Sequence, residues 1–175
     1  TSTKNIFLSK IELKKTQLSF FRSSALIENI ESNIDYKYPV IFSEESNLKI
    51  KKIHISNDLS NAINTSKNSI THITESSFSN SLLASIYCDH SSLYLEKNNF
   101  TNTIFKNDVN VTKMNSGIFL RKGNIFAKNN IFNKFENGIY MTENTMAKIL
   151  DNSFEETEKS IIVNDKSSAV MQNNI

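Results

Sequence analysis

The sequence predicts an all-β solenoid, a parallel β-helix with coils of about 22 residues, and three observations predict it. Phe78 and Phe100 are 22 residues apart, Phe132 and Phe154 are again 22 apart, and Phe154 to Ile175 is 21. Phe100 to Phe132 is 32, one such period with ten residues inserted. Asparagine stands two positions before the anchor in Asn98-Asn99-Phe100, Asn130-Ile131-Phe132 and Asn152-Ser153-Phe154. Between anchors the apolar residues alternate over short runs, as in Leu93-Tyr94-Leu95, which is the period of a strand and not of a helix.

Residues 1–47 carry the weakest form of this pattern and are expected to form irregular N-terminal coils or a cap. Ile11-Glu12-Leu13 alternates, and Leu26, Ile27, Ile30 and Ile34 have a spacing that a short helix also satisfies. Pro39, the only proline, precedes the short apolar run Val40-Ile41-Phe42. From Leu48 the period governs the chain, through Leu48-Lys49-Ile50, Ala62 to Thr65, Thr71 to Ile73, Ile86 to Cys88 and Leu93 to Leu95. It breaks near 103–115, where the insertion falls, then resumes at Gly117-Ile118-Phe119-Leu120 and runs to Ile175. Residues 48–175 are therefore the solenoid proper.

In such a stack, equivalent residues of successive coils lie about 4.8 Å apart, so each column of the aligned repeats is a physical column. Four inward columns follow: Thr71/Leu93/Ile125/Ala147, Ile73/Leu95/Ala127/Ile149/Val170, Ile63/Ile86/Ile118/Ile139/Ile161 and Thr65/Cys88/Leu120/Met141/Val163. Cys88, the single cysteine, is expected inside the core as a small hydrophobe. The column Ser76/Asn98/Asn130/Asn152/Asn173 is expected to form an amide ladder at a turn, with asparagine tolerating the left-handed conformation there. The phenylalanine anchors are expected to stack inside that corner.

Residues 48–175 resemble the right-handed parallel β-helix repeats of the pectin-lyase-like superfamily. The resemblance is carried by the Asn-x-Phe turns and by the small-residue–Ile–x–apolar strands Gly117-Ile118, Gly138-Ile139 and Ser160-Ile161. It implies a right-handed, single-stranded β-helix. It also implies a leaning toward the extracellular space or cell surface, and an alternative function as a polysaccharide lyase-like or hydrolase-like domain or a carbohydrate-binding module.

Function on a solenoid sits on outward columns and insertions. One outward column reads Asn64/Tyr87/Phe119/Tyr140/Ile162 and a second His72/Tyr94/Phe126/Lys148/Ala169. The run Tyr87, Phe119, Tyr140, Ile162 is an apolar stripe, and it is the candidate binding site. Three uses fit it: a surface covered by the insertion or by residues 1–47, a protein-binding surface, or a platform on which sugar rings stack. For acid–base chemistry the candidates are Asp89-His90, in a turn, and Glu75. Glu75 falls in a column read as Glu75/Lys97/Asn129/Asp151/Gln172, whose carboxylates are too far apart for the paired geometry of glycoside hydrolysis. His54, His72 and His90 are spaced by 18, which is not the coil period, so they are expected on different columns and not around one metal.

The remaining composition narrows the classes. A net charge of +2, with basic residues scattered along the chain, does not suit a nucleic-acid binder. No apolar run is long enough for a transmembrane helix. Glycosylation sequons at Asn64, Asn99 and Asn110 are no more than chance supplies in so Asn-rich a chain. No residue set calls for a cofactor or metal. Because a coil end exposes strand edges, further β-helix coils or another protein chain are expected to stack on the C-terminal end, with polysaccharide as a second class of partner. The reading is a non-catalytic structural or recognition module acting within a larger protein or assembly.

Overall fold

The structure is a computed structural model that describes residues 5–33, 36–56, 60–81, 83–102 and 115–175. Every strand pairing is parallel, and pairs join each strand to its equivalent one coil away. Each coil has three faces. The long face contains Asn5–Leu13, Ser24–Asn33, Asn47–Lys51, Ile70–Thr74, Ser92–Glu96, Asn124–Lys128, Met146–Leu150 and Ser168–Gln172. A turn later comes the short face, with His54–Ser56, Ser77–Ser79, Asn99–Thr101, Ile131–Asn133 and Ser153–Glu155. The third face is a separate seven-stranded sheet: Leu18–Phe21, Ile41–Glu44, Ile63–Ser66, Ala84–Asp89, Ser116–Arg121, Asn137–Thr142 and Lys159–Val163.

The stretch Ala25 to Ile34, whose spacing also suits a helix, runs as a strand from Ser24 to Asn33, paired on both sides. Tertiary pairing settles what local spacing leaves open, because an isolated helix this short is marginal in water. Residues 5–33 join the same two sheets as the rest of the chain. The insertion itself falls on residues outside the described ones, apart from Asn115. Its effect is visible in the register, since Phe100 pairs with Phe132 although ten extra residues separate them.

The inward columns form one continuous apolar cluster along the axis. Phe78, Phe100, Phe132 and Phe154 stack with ring centroids 5.1, 4.8 and 5.0 Å apart, and the first three are fully buried. The stack explains the glycines before the third-face isoleucines. A Cβ at Gly138 would lie 2.5 Å from both the Phe154 ring and the Ser160 carbonyl, and one at Gly117 would lie 2.6 Å from the Phe132 ring. The ring crosses the coil and rests on bare backbone. Cys88 is wholly buried, and that burial pushes its thiol up to about 12.

The amide ladder is present, one position away from the left-handed residue. Positive φ belongs to the preceding column, Lys10, Asn29, Lys52, Glu75, Lys97, Asn129, Asp151 and Asn173. The next residue turns inward and bonds along the axis. The amides of Ser76, Asn98, Asn130 and Asn152 donate to the Oδ1 of Asn98, Asn130, Asn152 and Asn174 at 2.9 to 3.0 Å. Each Nδ2 also donates to a carbonyl in the coil below, as Asn98 does to Ile73 at 2.9 Å. The ladder therefore ends on Asn174, not Asn173. The third-face strand of the last coil pairs as expected, but its long-face strand and the turn after it shift by one: Met171 replaces Val170 among the inward residues, Val170 replaces Ala169 outside, and Asn173 replaces Gln172 at the turn. Ile175 consequently follows the ladder directly and is not an anchor like Phe154. Its apolar side chain matched the pattern, but hydrogen bonding sets the register.

A second ladder, of hydroxyls, holds the corner between the third and long faces. The amides of Ser23, Ser46 and Ser69 donate to the Oγ of Ser46, Ser69 and Ser91, and that of Thr145 to Ser167. Gly123 interrupts it, because a Cβ there would run into the Ser91 carbonyl.

The two neighbours Asn129 and Asn130 separate these roles. Asn130→Ala leaves the Asn98 amide without its acceptor and removes the donor that Asn130 offers to the Leu95 and Lys128 carbonyls, and it is expected to cost at least about 2 kcal/mol. Phe132→Ala is expected to cost about 3–5 kcal/mol. Asn129→Gly, at φ 56°, should stay within about 1 kcal/mol of the parent, since glycine accepts that conformation. Urea unfolding midpoints of the three variants check this order.

Candidate functional site

The aromatic column of the third face is built as the register requires. Tyr87 pairs with Phe119, Phe119 with Tyr140 and Tyr140 with Ile162, while Asn64 and Phe42 continue the column toward the N-terminus. Centroids of Tyr87 and Phe119 are 5.5 Å apart at 4° between planes, and those of Phe119 and Tyr140 are 5.2 Å apart at 8°. Phe119 is only 9% exposed, and Tyr87, Tyr140 and Ile162 are half-buried. The rings therefore spend their faces on each other. What they present outward is edges and the two phenol groups. The Tyr140 hydroxyl accepts from Asn164 Nδ2 at 2.8 Å, and burial pushes the Tyr87 phenol up. A sugar platform needs an open ring face, and stacking covers both faces of Phe119. The covering role expected of the insertion falls on residues 103–114, outside the described ones.

The second outward column, on the long face, has more free surface. His72 and Tyr94 stack at 4.4 Å with 6° between planes, and desolvation together with Lys49 pushes the His72 imidazole down. Tyr94, Phe126 and Lys148 form one wall of a shallow groove of about 310 Å³, and Asn124 and Met146 form the other. Tyr94 is 41% exposed and Met146 61%. The contribution of Met146 is visible only once the strand register aligns it with Asn124.

The candidate acid–base groups do not meet. Asp89 and His90 occupy the corner before the long-face strand Ser92–Glu96, while Glu75 lies in the turn column that follows such strands. About 16 Å of strand therefore lies between them. Asp89 accepts two bonds from Arg121, at 3.0 Å from Nε and 2.9 Å from Nη2, and its Oδ1 lies 2.7 Å from His90 Nδ1. Arg121 holds the Asp89 carboxyl below the usual carboxylate range, so it is a poor proton donor near neutral pH. Glu75 lies 3.5 Å from Lys51 and 3.9 Å from Lys52. These acids tie strands and coils together.

One polar column was not singled out by the sequence reading. Glu31, His54 and Ser77 are consecutive in register on the short face, and His54 Nδ1 sits 2.5 Å from Ser77 Oγ. The spacing of 23 residues at each step was the available signal. It resembles a nucleophile–base pair, yet the Ser77 amide donates to the Ile53 carbonyl at 2.9 Å and is not free to stabilise an oxyanion. His54, His72 and His90 lie on the short face, the long face and a corner, so they do not converge. Among the described residues, no group of three His, Cys, Asp or Glu side chains is arranged to hold a metal.

Parallel coils of 22 or so residues, an amide ladder and an inward phenylalanine stack define a single-stranded β-helix. The family model described as "right handed beta helix region" matches residues 39–175, and the chain belongs to that family. No curated protein and no solved structure matches it.

The Asp89–Arg121 link makes a signed prediction. Its folded-state affinity for protons is depressed, so its contribution is present above the ordinary Asp value near 3.9 and is lost as pH falls through the lower folded value. Asp89→Asn should lower stability at pH 7, and the gap to the parent should close progressively below about pH 4. Urea midpoints across pH 2 to 7 measure it; a gap that is constant over that range would contradict the role given to Arg121.

Proposed function

We propose that this chain is a non-catalytic structural and recognition module that works within a larger protein or assembly. The observation that carries this reading is the use already made of its acids: Asp89 and Glu75 are each bound to basic neighbours and lie far apart. The paired carboxylates of a glycoside hydrolase stand within about 10 Å of each other and have to exchange protons. The contact surfaces of the module are its outward aromatic columns. Ring edges, phenol groups and methyl groups suit a protein partner, where aromatic anchors dominate binding.

A second reading, carbohydrate binding, is favoured by the long-face groove and not by the third-face column. There Tyr94 is exposed beside Met146 and Lys148. A glycan array separates the two readings: retained signal that is lost on Tyr94→Ala supports sugar binding, and an array that stays blank removes it.

For the principal reading, incubation with a panel of neutral and acidic polysaccharides is expected to release no reducing ends or unsaturated products above a blank. Turnover that falls at least tenfold in Asp89→Asn or Glu75→Gln, with folding retained, would contradict it.

A further inference from the structure

We infer that the long face of the solenoid is a self-complementary contact surface, on which a second copy of this chain packs face to face. This rests on the module reading above and names its partner.

The outward residues of the long face fall in three rows. The middle row runs Lys49, His72, Tyr94, Phe126, Lys148 in register. The row before it holds Ile70, Ser92, Asn124 and Met146, and the row after it Thr74, Glu96, Lys128 and Leu150. Ile70 is 40% exposed, Tyr94 41% and Met146 61%, so three large apolar side chains stand out from four adjacent strands. Their strands lie inside the stack, each paired on both sides. The groove of about 310 Å³ between the first two rows has Leu93, Ile125 and Ala147 at its floor.

A two-fold axis running along the strands sets each row against the same row of a second copy, with the coils in reverse order. Aligned packing of two sheet faces allows this geometry. When the axis passes between Ser92–Glu96 and Asn124–Lys128, Tyr94 meets Phe126 of the second copy and Ile70 meets Met146 at the groove. Glu96 meets Lys128, and Thr74 meets Leu150. Lys148 meets His72, whose imidazole is pushed down by desolvation and is uncharged at neutral pH. Every contact occurs twice, because the interface is isologous. Apolar contacts then fill two rows and an ion pair seals the third, as in a specific interface.

Charge singles out this placement. An axis on Ser92–Glu96 sets Glu96 on itself and Lys49 on Lys148, and one on Asn124–Lys128 sets Lys128 on itself. An axis between Ile70–Thr74 and Ser92–Glu96 sets Lys51 on Lys128. An axis between Asn124–Lys128 and Met146–Leu150 takes Glu96 away from Lys128. An axis parallel to the solenoid sets Lys49 on Lys49 and Lys148 on Lys148. The shared face reaches from Asn47–Lys51 to Ser168–Gln172, six strands and five residues wide, or about 24 Å by 16 Å. That is the small end of specific interfaces, so dimerisation is expected in the micromolar range.

Sedimentation equilibrium tests this with the 175-residue chain. The average mass should rise with concentration and level off at twice the monomer, because an isologous contact closes. Glu96→Lys and Lys128→Glu should each associate at least tenfold more weakly, since each sets like charges opposite one another. Mixed in equal amounts, the two variants should associate again as one-to-one dimers. Met146→Asp, at the most exposed of the three apolar positions, should also associate at least tenfold more weakly, and it serves where a charge variant does not fold. A chain that stays monomeric into the millimolar range, a mass that climbs past the dimer, or variants that associate as the parent does would overturn the inference. A monomer whose glycan-array signal is lost on Tyr94→Ala would overturn it too, and would give the face to a sugar. Polysaccharide turnover is read in a separate assay, so the dimer and the non-catalytic reading fail separately.

Discussion

The structure depends on what happens at one corner of each coil. The chain must bend within two residues while every inward amide finds a partner, since a buried amide without one costs about 1–3 kcal/mol. One residue takes a left-handed conformation, with φ from 51° to 56° at Glu75, Lys97, Asn129 and Asp151. The next donates its amide to the side chain of the equivalent residue one coil on. That bond can form only when the coils are in register, so it selects the register as well as satisfying the turn. Toward the N-terminus the same column holds Ile11, Ile30 and Ile53, which have no acceptor to offer. At Ile11 and Ile30 the long-face and short-face segments run as single strands, Asn5–Leu13 and Ser24–Asn33, while around Ile53 they are separate.

From this register the packing follows, and so does the surface chemistry. A residue type repeated at the coil period becomes a stack, whether buried as in the phenylalanine column or partly exposed as in Tyr87, Phe119 and Tyr140. Stacking serves stability and restricts recognition, because rings 5 Å apart turn their edges outward. The same geometry places acids opposite bases in adjacent coils, and these carboxylates hold corners together. Asp89 shows this most clearly, with Arg121 on one side and His90 on the other.

Much of this was legible in the sequence because the columns of a solenoid are separated by a fixed count. The four inward columns, the phenylalanine stack, the buried Cys88 and the outward aromatic column could all be placed by arithmetic on residue numbers. The last long-face strand and its turn were misread by one because Ile175 looked like an anchor, and apolarity says less about register than the hydrogen bond from Asn152 to Asn174. The left-handed role was given to the ladder asparagines, whereas it falls on the residue before them; lysine, glutamate and aspartate fill that position too, so composition does not mark it. The hydroxyl ladder from Ser23 to Ser91 went unread because serine is common throughout the chain. At the candidate site, the column of Tyr87 and Phe119 was visible but not the orientation of its rings, which depends on contacts between coils.

Hydrogen exchange tests the central claim most directly. If coil-to-coil capping holds the turns, the amides of Asn98, Asn130 and Asn152, though they sit in turns between strands, should exchange as slowly as those of the buried strand residues Leu95 and Ile118, opening only with global unfolding. Exchange of these three amides at the rate of ordinary surface turns, with the strands still protected, would contradict it and would leave the side-chain packing alone to set the register.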